Sequence, residues 1–133
     1  MDKRELIEER LTGSVIGAFF EVYNALDFGY LEHLYAAALE RELLSRGYHV
    51  ARELAVRVMY KGEEIGCQRL DMVVDDVLVV EVKSTTKLGE IAPRQVHNYL
   101  RATNLEVGLL LHFGPEPKFY RVVCENRLKR RTR

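Results

Sequence analysis

Apolar side chains recur at Leu11, Val15, Phe19, Val22 and Leu26, a three-and-four spacing that predicts a helix from about Glu5 to Leu26. Asp27-Phe28-Gly29 interrupts the pattern with a glycine suited to a helix end. Leu31, Leu34, Tyr35, Ala38 and Leu39 resume it in a second helix that runs to Arg46, with Gly47 just beyond. The period then falls to two. Leu54, Val56, Val58 and Tyr60 alternate with Ala55, Arg57 and Met59, and Lys61-Gly62-Glu63-Glu64 turns the chain into Ile65 to Val74, so a hairpin is expected. After a second turn at Asp75-Asp76, Val77 to Lys83 is apolar on both sides and reads as a strand covered on both faces. A third helix over about Ile91 to Thr103, a buried strand over Val107 to Phe113 and an edge strand near Phe119 to Cys124 complete the order α-α-β-β-β-α-β-β. Three meandering strands, a crossover helix and a further strand predict an α/β or α+β class, a mixed sheet with a mainly antiparallel first half flanked by helices, the crossover joining parallel neighbours.

Composition narrows the possibilities. The 133 residues, 47% apolar and 30% charged, suit a single domain spanning 1-133 that needs neither disulfides nor a structural metal for its core. The longest stretch without an ionisable side chain, Leu11 to Phe20, is ten residues, about half a membrane span. The mixed-charge start, Met1-Asp2-Lys3-Arg4-Glu5, lacks the order of a secretory signal, and a cytoplasmic protein is expected. Cys67 and Cys124 form no metal-binding pair and read as reduced, buried thiols, and the four histidines are scattered. Basic and acidic residues balance at 20 each, yet Arg127, Lys129, Arg130, Arg131 and Arg133 crowd the last seven positions. Any attraction for nucleic acid must then be local, and this basic tail (127-133) could add phosphate contacts.

Nucleotide-hydrolysing, dinucleotide-binding, zincin and serine-hydrolase motifs are absent. What stands out is Asp71 on one strand and Glu81-Val82-Lys83 on the next. Period two puts Glu81 and Lys83 on one face of an otherwise apolar strand, where unpartnered charges are costly. One reading is a plain Glu81-Lys83 pair at a sheet end. The other adds Asp71: two carboxylates offer hard oxygen ligands to Mg²⁺, and a lysine beside them can position a nucleophile or offset developing charge. Strand register separates the two. A two-residue turn at Asp75-Asp76 makes paired residue numbers sum to 151 and turns Asp71 away from Glu81. An odd-length connection or a bulge between Val73 and Leu78 shifts the sum to 152 and brings them face to face.

The run Gly29-Tyr30-Leu31-Glu32-His33-Leu34-Tyr35 fits a G-x-x-E-x-x-Y signature. With Asp71, Glu81-Val82-Lys83 and Gln95-Val96-His97-Asn98-Tyr99 following in order, the chain resembles the GxxExxY family of the PD-(D/E)XK nuclease superfamily, in its RecB-like branch, from about Thr12 to Val123. It departs from that pattern in the loop Leu26-Asp27-Phe28-Gly29, where Leu-Gly-Pro-Gly is usual, and at Tyr23, where histidine is common.

The resemblance implies a restriction-endonuclease-like core in which Glu32, Asp71 and Glu81, with the backbone carbonyl of Val82, hold Mg²⁺ or Mn²⁺. Asp71, Glu81, Lys83 and Gln95 would be catalytic, and Tyr35, Gln95 and Tyr99 would contact substrate. The expected activity is hydrolysis of phosphodiester bonds in nucleic acid, with DNA the expected substrate. The alternative is a catalytically inactive nucleic-acid- or protein-binding module on the same fold. A homodimer through the last strand, or a partner protein, is compatible with either.

Overall fold

The computed structural model describes residues 2–129, apart from the side chains of residues 4, 6 and 7. Arg130, Arg131 and Arg133 of the expected basic tail therefore lie outside the described residues. The elements run α1 (Lys3–Leu26), α2 (Glu32–Ser45), β1 (Val50–Tyr60), β2 (Glu63–Val74), β3 (Leu78–Lys83), α3 (Ile91–Arg101), β4 (Val107–Phe113) and β5 (Pro117–Val123), closed by a 3-10 turn at Asn126–Leu128. Five strands lie in the sheet order β1-β2-β3-β4-β5. β3 and β4 are parallel, joined by α3, and the other neighbours are antiparallel.

Alternation along β3 decides which layer each residue joins. Leu78, Val80 and Val82 enter the larger core beneath α1 and α2, built around Val15, Phe19, Tyr35, Leu39 and Phe113. Val79 faces the other way, into a smaller cluster with Val96, Tyr99 and Leu100 of α3. Glu81 and Lys83 share the parity of Val79 and so belong to the α3 side. The buried run Val107–Phe113 beside β3 supplies both layers, as expected of a doubly covered parallel strand.

The β2–β3 connection comprises Asp75, Asp76 and Val77, and the strands pair as Met72↔Val80, Val73↔Val79 and Val74↔Leu78, a sum of 152. Asp75 and Asp76 both take positive φ (52° and 57°), which Asp tolerates better than most residues, and His49 clamps Asp75 from the start of β1. β2 pairs with β3 over these three residues alone, whereas it pairs with β1 along nearly its whole length. The β1–β2 hairpin thus runs past the sheet as an arm.

Two expectations about side chains do not hold. Cys67 is exposed, because it lies on this arm opposite Arg57 rather than in a core. Cys124 is half-buried. Part of the basic tail is also occupied: Arg127 pairs with Glu125 at 2.7 Å, and Lys129 Nζ donates to the carbonyls of Thr103 (2.8 Å) and Leu105 (2.7 Å).

Candidate active site

One step beyond Met72↔Val80 the register sets Asp71 against Glu81, and there the backbone ladder ends. Asp71 Oδ2 instead accepts the Val82 N–H at 2.6 Å, so a side-chain oxygen takes the place of a strand carbonyl. Glu81, only 8% exposed, is hydrogen-bonded to the Asp71 carboxyl. Burial, that hydrogen bond, the Asp71 charge and the more distant Glu32 push its pKa up to about 9, against an opposing pull from Lys83. Glu81 therefore keeps its proton at neutral pH. Lys83, half-buried, ends β3 on the same face.

Glu32 approaches from the other layer. It opens α2, where an acid complements the helix dipole, and its Oε2 lies 3.5 Å from the Ser84 N–H just after Lys83. Ser84 Oγ donates to the Tyr30 carbonyl, tying the end of β3 to the loop before α2.

Tyr35, expected to touch substrate, is fully buried. Its ring stacks on Phe113 (4.1 Å between centroids, 19° between planes), and its hydroxyl donates to Asp27 O and accepts the Tyr30 N–H at 3.3 Å. Both ends of the side chain are engaged, so it shapes the 27–30 loop and leaves no surface for a ligand. Tyr99 is also buried, in the cluster under α3, and burial raises its pKa so that the phenol stays neutral. Gln95 is exposed on the first half of α3, and its carbonyl accepts Gln68 Nε2 at 2.7 Å, which fastens the β1–β2 arm to the helix. Val82 places its side chain in the larger core and its N–H on Asp71.

The donor chemistry of Asp71 and Glu81 fits a hard divalent cation: paired carboxylates, one kept protonated by its burial and by its neighbour, would be relieved by such a charge. The three-carboxylate set inferred from the resemblance is not preassembled. Among the described residues no three His, Cys, Asp or Glu side chains form a ready ion cage; Glu32 acts on Glu81 through its charge while its Oε2 accepts from the Ser84 amide.

Two contacts near the site follow from residues to which sequence reasoning gave no role. His112, buried beside Lys83 on the parallel strand, brings Nε2 within 2.8 Å of the Thr85 carbonyl and 3.1 Å of its Oγ1. A carbonyl only accepts, so Nε2 carries a proton, while Nδ1 is buried with no hydrogen-bond partner among the described residues. Tyr23, at the position where the resembled family favours histidine, donates to Gly114 O (2.7 Å) and Pro115 O (3.0 Å). A lone polar ring within Leu109-Leu110-Leu111-His112-Phe113 was the available signal for the first; nothing local announces the second.

A mixed sheet with helices on both faces and an acidic pair beside a lysine at the parting of two strands defines a restriction-endonuclease-like α/β protein. The family model of the PD-(D/E)XK nuclease superfamily matches residues 9–122, and the chain belongs to that superfamily. Among solved structures, "Crystal structure of SSO0001" is similar at a TM-score of 0.56 and 18% identity, over 70% of this chain and 50% of that one. At that identity the likeness is one of fold, and the present chain spans about half the length of that protein. No match was found among curated proteins.

Proposed function

We propose that the chain is a Mg²⁺- or Mn²⁺-dependent nuclease of the GxxExxY group in the RecB-like branch, hydrolysing phosphodiester bonds, with DNA as substrate. One observation carries the reading: β3, apolar elsewhere, keeps Glu81 buried against Asp71 and ends on Lys83 on the same face. A fold gains nothing from burying a second acid beside the first, and such perturbed pairs concentrate at functional sites.

In this reading Asp71 and Glu81 hold the cation, with the Val82 carbonyl beside them and Glu32 joining by a short movement of the α2 start. When bound, the cation supplies charge for the phosphate oxygens and acidifies a water. Glu81 must release its proton to serve as a ligand. Lys83 positions the attacking water or offsets charge that grows on the phosphate, Gln95 orients the substrate, and Tyr99 acts by supporting α3.

The separation of Glu32 from the carboxylate pair favours one rival, an inactive binding module that keeps the pair for structure. A panel of single- and double-stranded DNA and RNA, with Mg²⁺ or Mn²⁺, distinguishes the two. Wild-type protein should cut, and Lys83→Ala should lower the rate by about 10²- to 10⁴-fold with unchanged thermal stability. Equal cutting by both proteins would reject the role of Lys83, and binding without cutting by the folded wild type would favour the inactive module.

A further inference from the structure

On the side of α3 away from Gln95 lies a groove of about 510 Å³, bounded by the end of β5 and the 3-10 turn that follows. Arg94, His97 and Arg101 line it from the helix and Lys129 from the opposite wall. Arg94 and Arg101 are exposed, and among the described residues neither has a carboxylate partner. The one acid lining the groove, Glu125, is already taken by Arg127 at 2.7 Å. Lys129 cannot swing away, since its ammonium is held by the Thr103 and Leu105 carbonyls. Three fixed or unneutralised cations therefore face one groove in a chain whose formal charge is zero. His97 registers the same field: burial first, then Arg94 and Arg101, hold its imidazole below the ordinary pKa.

We infer that this groove binds the phosphate backbone of the nucleic acid at some distance from the bond that is cut. Seven residues of helix separate Arg94 from Arg101 by ~10 Å, about three base-pair rises of ~3.4 Å measured along a duplex axis. Arg94 is next to Gln95 in sequence and about 100° from it around the helix. A strand passing Gln95 crosses Asn98 and meets the arginines on the neighbouring face. Guanidinium groups suit this role, because they present several donors to phosphate oxygens and stay charged at any working pH. The inference rests on the nuclease reading for the direction of the strand, but the binding itself does not require cleavage.

The test is fluorescence anisotropy of labelled 20-mer and tetramer DNA, single- and double-stranded, with the full chain in EDTA across a salt series. The variants are Arg94→Gln/Arg101→Gln and Arg94→Glu/Arg101→Glu. Arg10→Glu/Arg41→Glu, on exposed positions of α1 and α2, is the control with the same charge change, and circular dichroism checks folding. The groove variants should bind the 20-mers at least 10-fold more weakly, with the logarithmic salt slope shallower by about 1.5. The tetramer, with few phosphates to offer, should bind every protein far more weakly than the 20-mers do. Wild-type affinity in the glutamine variant, an equal loss in the control, or failure of the wild type to bind the 20-mers would each overturn the inference. So would polyglutamate of equal charge binding the groove more tightly than DNA. Groove-dependent binding by a protein that fails to cut with metal present would support the groove and count against the nuclease reading alone.

Discussion

The two faces of the sheet are built to different standards. Under α1 and α2 the core is dry and aromatic: Phe113 meets Phe19 edge-on at 4.8 Å and stacks on Tyr35 at 4.1 Å. Under α3 the packed layer is thinner, and the same side of β3 carries Glu81 and Lys83. Aromatic contacts and area burial favour folding on the first face, while a desolvated acid pair opposes it on the second. The division teaches that one layer tolerates expensive charge because the other supplies the stability. Parallel β3 and β4 transmit it, each contributing side chains to both.

Phe113→Ala should be the most damaging change to the fold. It removes a ring that joins three aromatic contacts, and a loss of about 3–5 kcal/mol in denaturant unfolding is expected. A loss below ~1 kcal/mol would show that the aromatic face is not the stabilising one.

Gly114→Ala probes the junction between the faces. An added Cβ would stand 2.8 Å from His112 Cε1 and 3.1 Å from the Thr85 carbonyl, closer than side-chain carbons come. A cost of about 1–3 kcal/mol is expected, with faster amide exchange at Ser84 and Thr85 as the clamp after Lys83 opens. Unchanged exchange would mean that the loop is held from elsewhere.

Glu81→Gln should act with the opposite sign, and only as the pH rises. The folded pKa of Glu81 is raised to about 9, above the unfolded value of 4.5, so without metal its contribution is fully present below pH 4.5 and is lost as pH rises through 9. A neutral amide escapes that loss. The variant should melt higher than the wild type near pH 9, with little difference near pH 4, and should lose cleavage. Identical pH profiles of melting for the two proteins would show that Glu81 does not hold its proton in the fold.

Period and turn chemistry made the elements legible, including the parallel crossover, because they are local properties of the chain, whereas the β2–β3 register stayed open between sums of 151 and 152 until the structure gave 152. What stayed hidden depends on contacts across layers. The sequence places Glu32 in a first helical turn but not its distance from Asp71, which is set by how α2 crosses the end of β3. Tyr35 matched a motif position, yet only the path of the 27–30 loop shows that its hydroxyl is already spent there. Nothing in the local pattern singles out Arg94 and Arg101, since the turn that walls their groove is distant in sequence. The basic tail drew notice as a run, while Arg127 and Lys129 within it prove to be engaged.

Asp71 also answers to two masters in the history of this chain. The same carboxylate that faces Glu81 stands in for the peptide oxygen that would have continued the sheet. Asparagine keeps an acceptor for the Val82 amide but forfeits the acid, alanine forfeits both, and glutamate, one methylene longer, overshoots the amide. Few substitutions can therefore drift through this position unnoticed, whether selection acts on cutting or merely on folding.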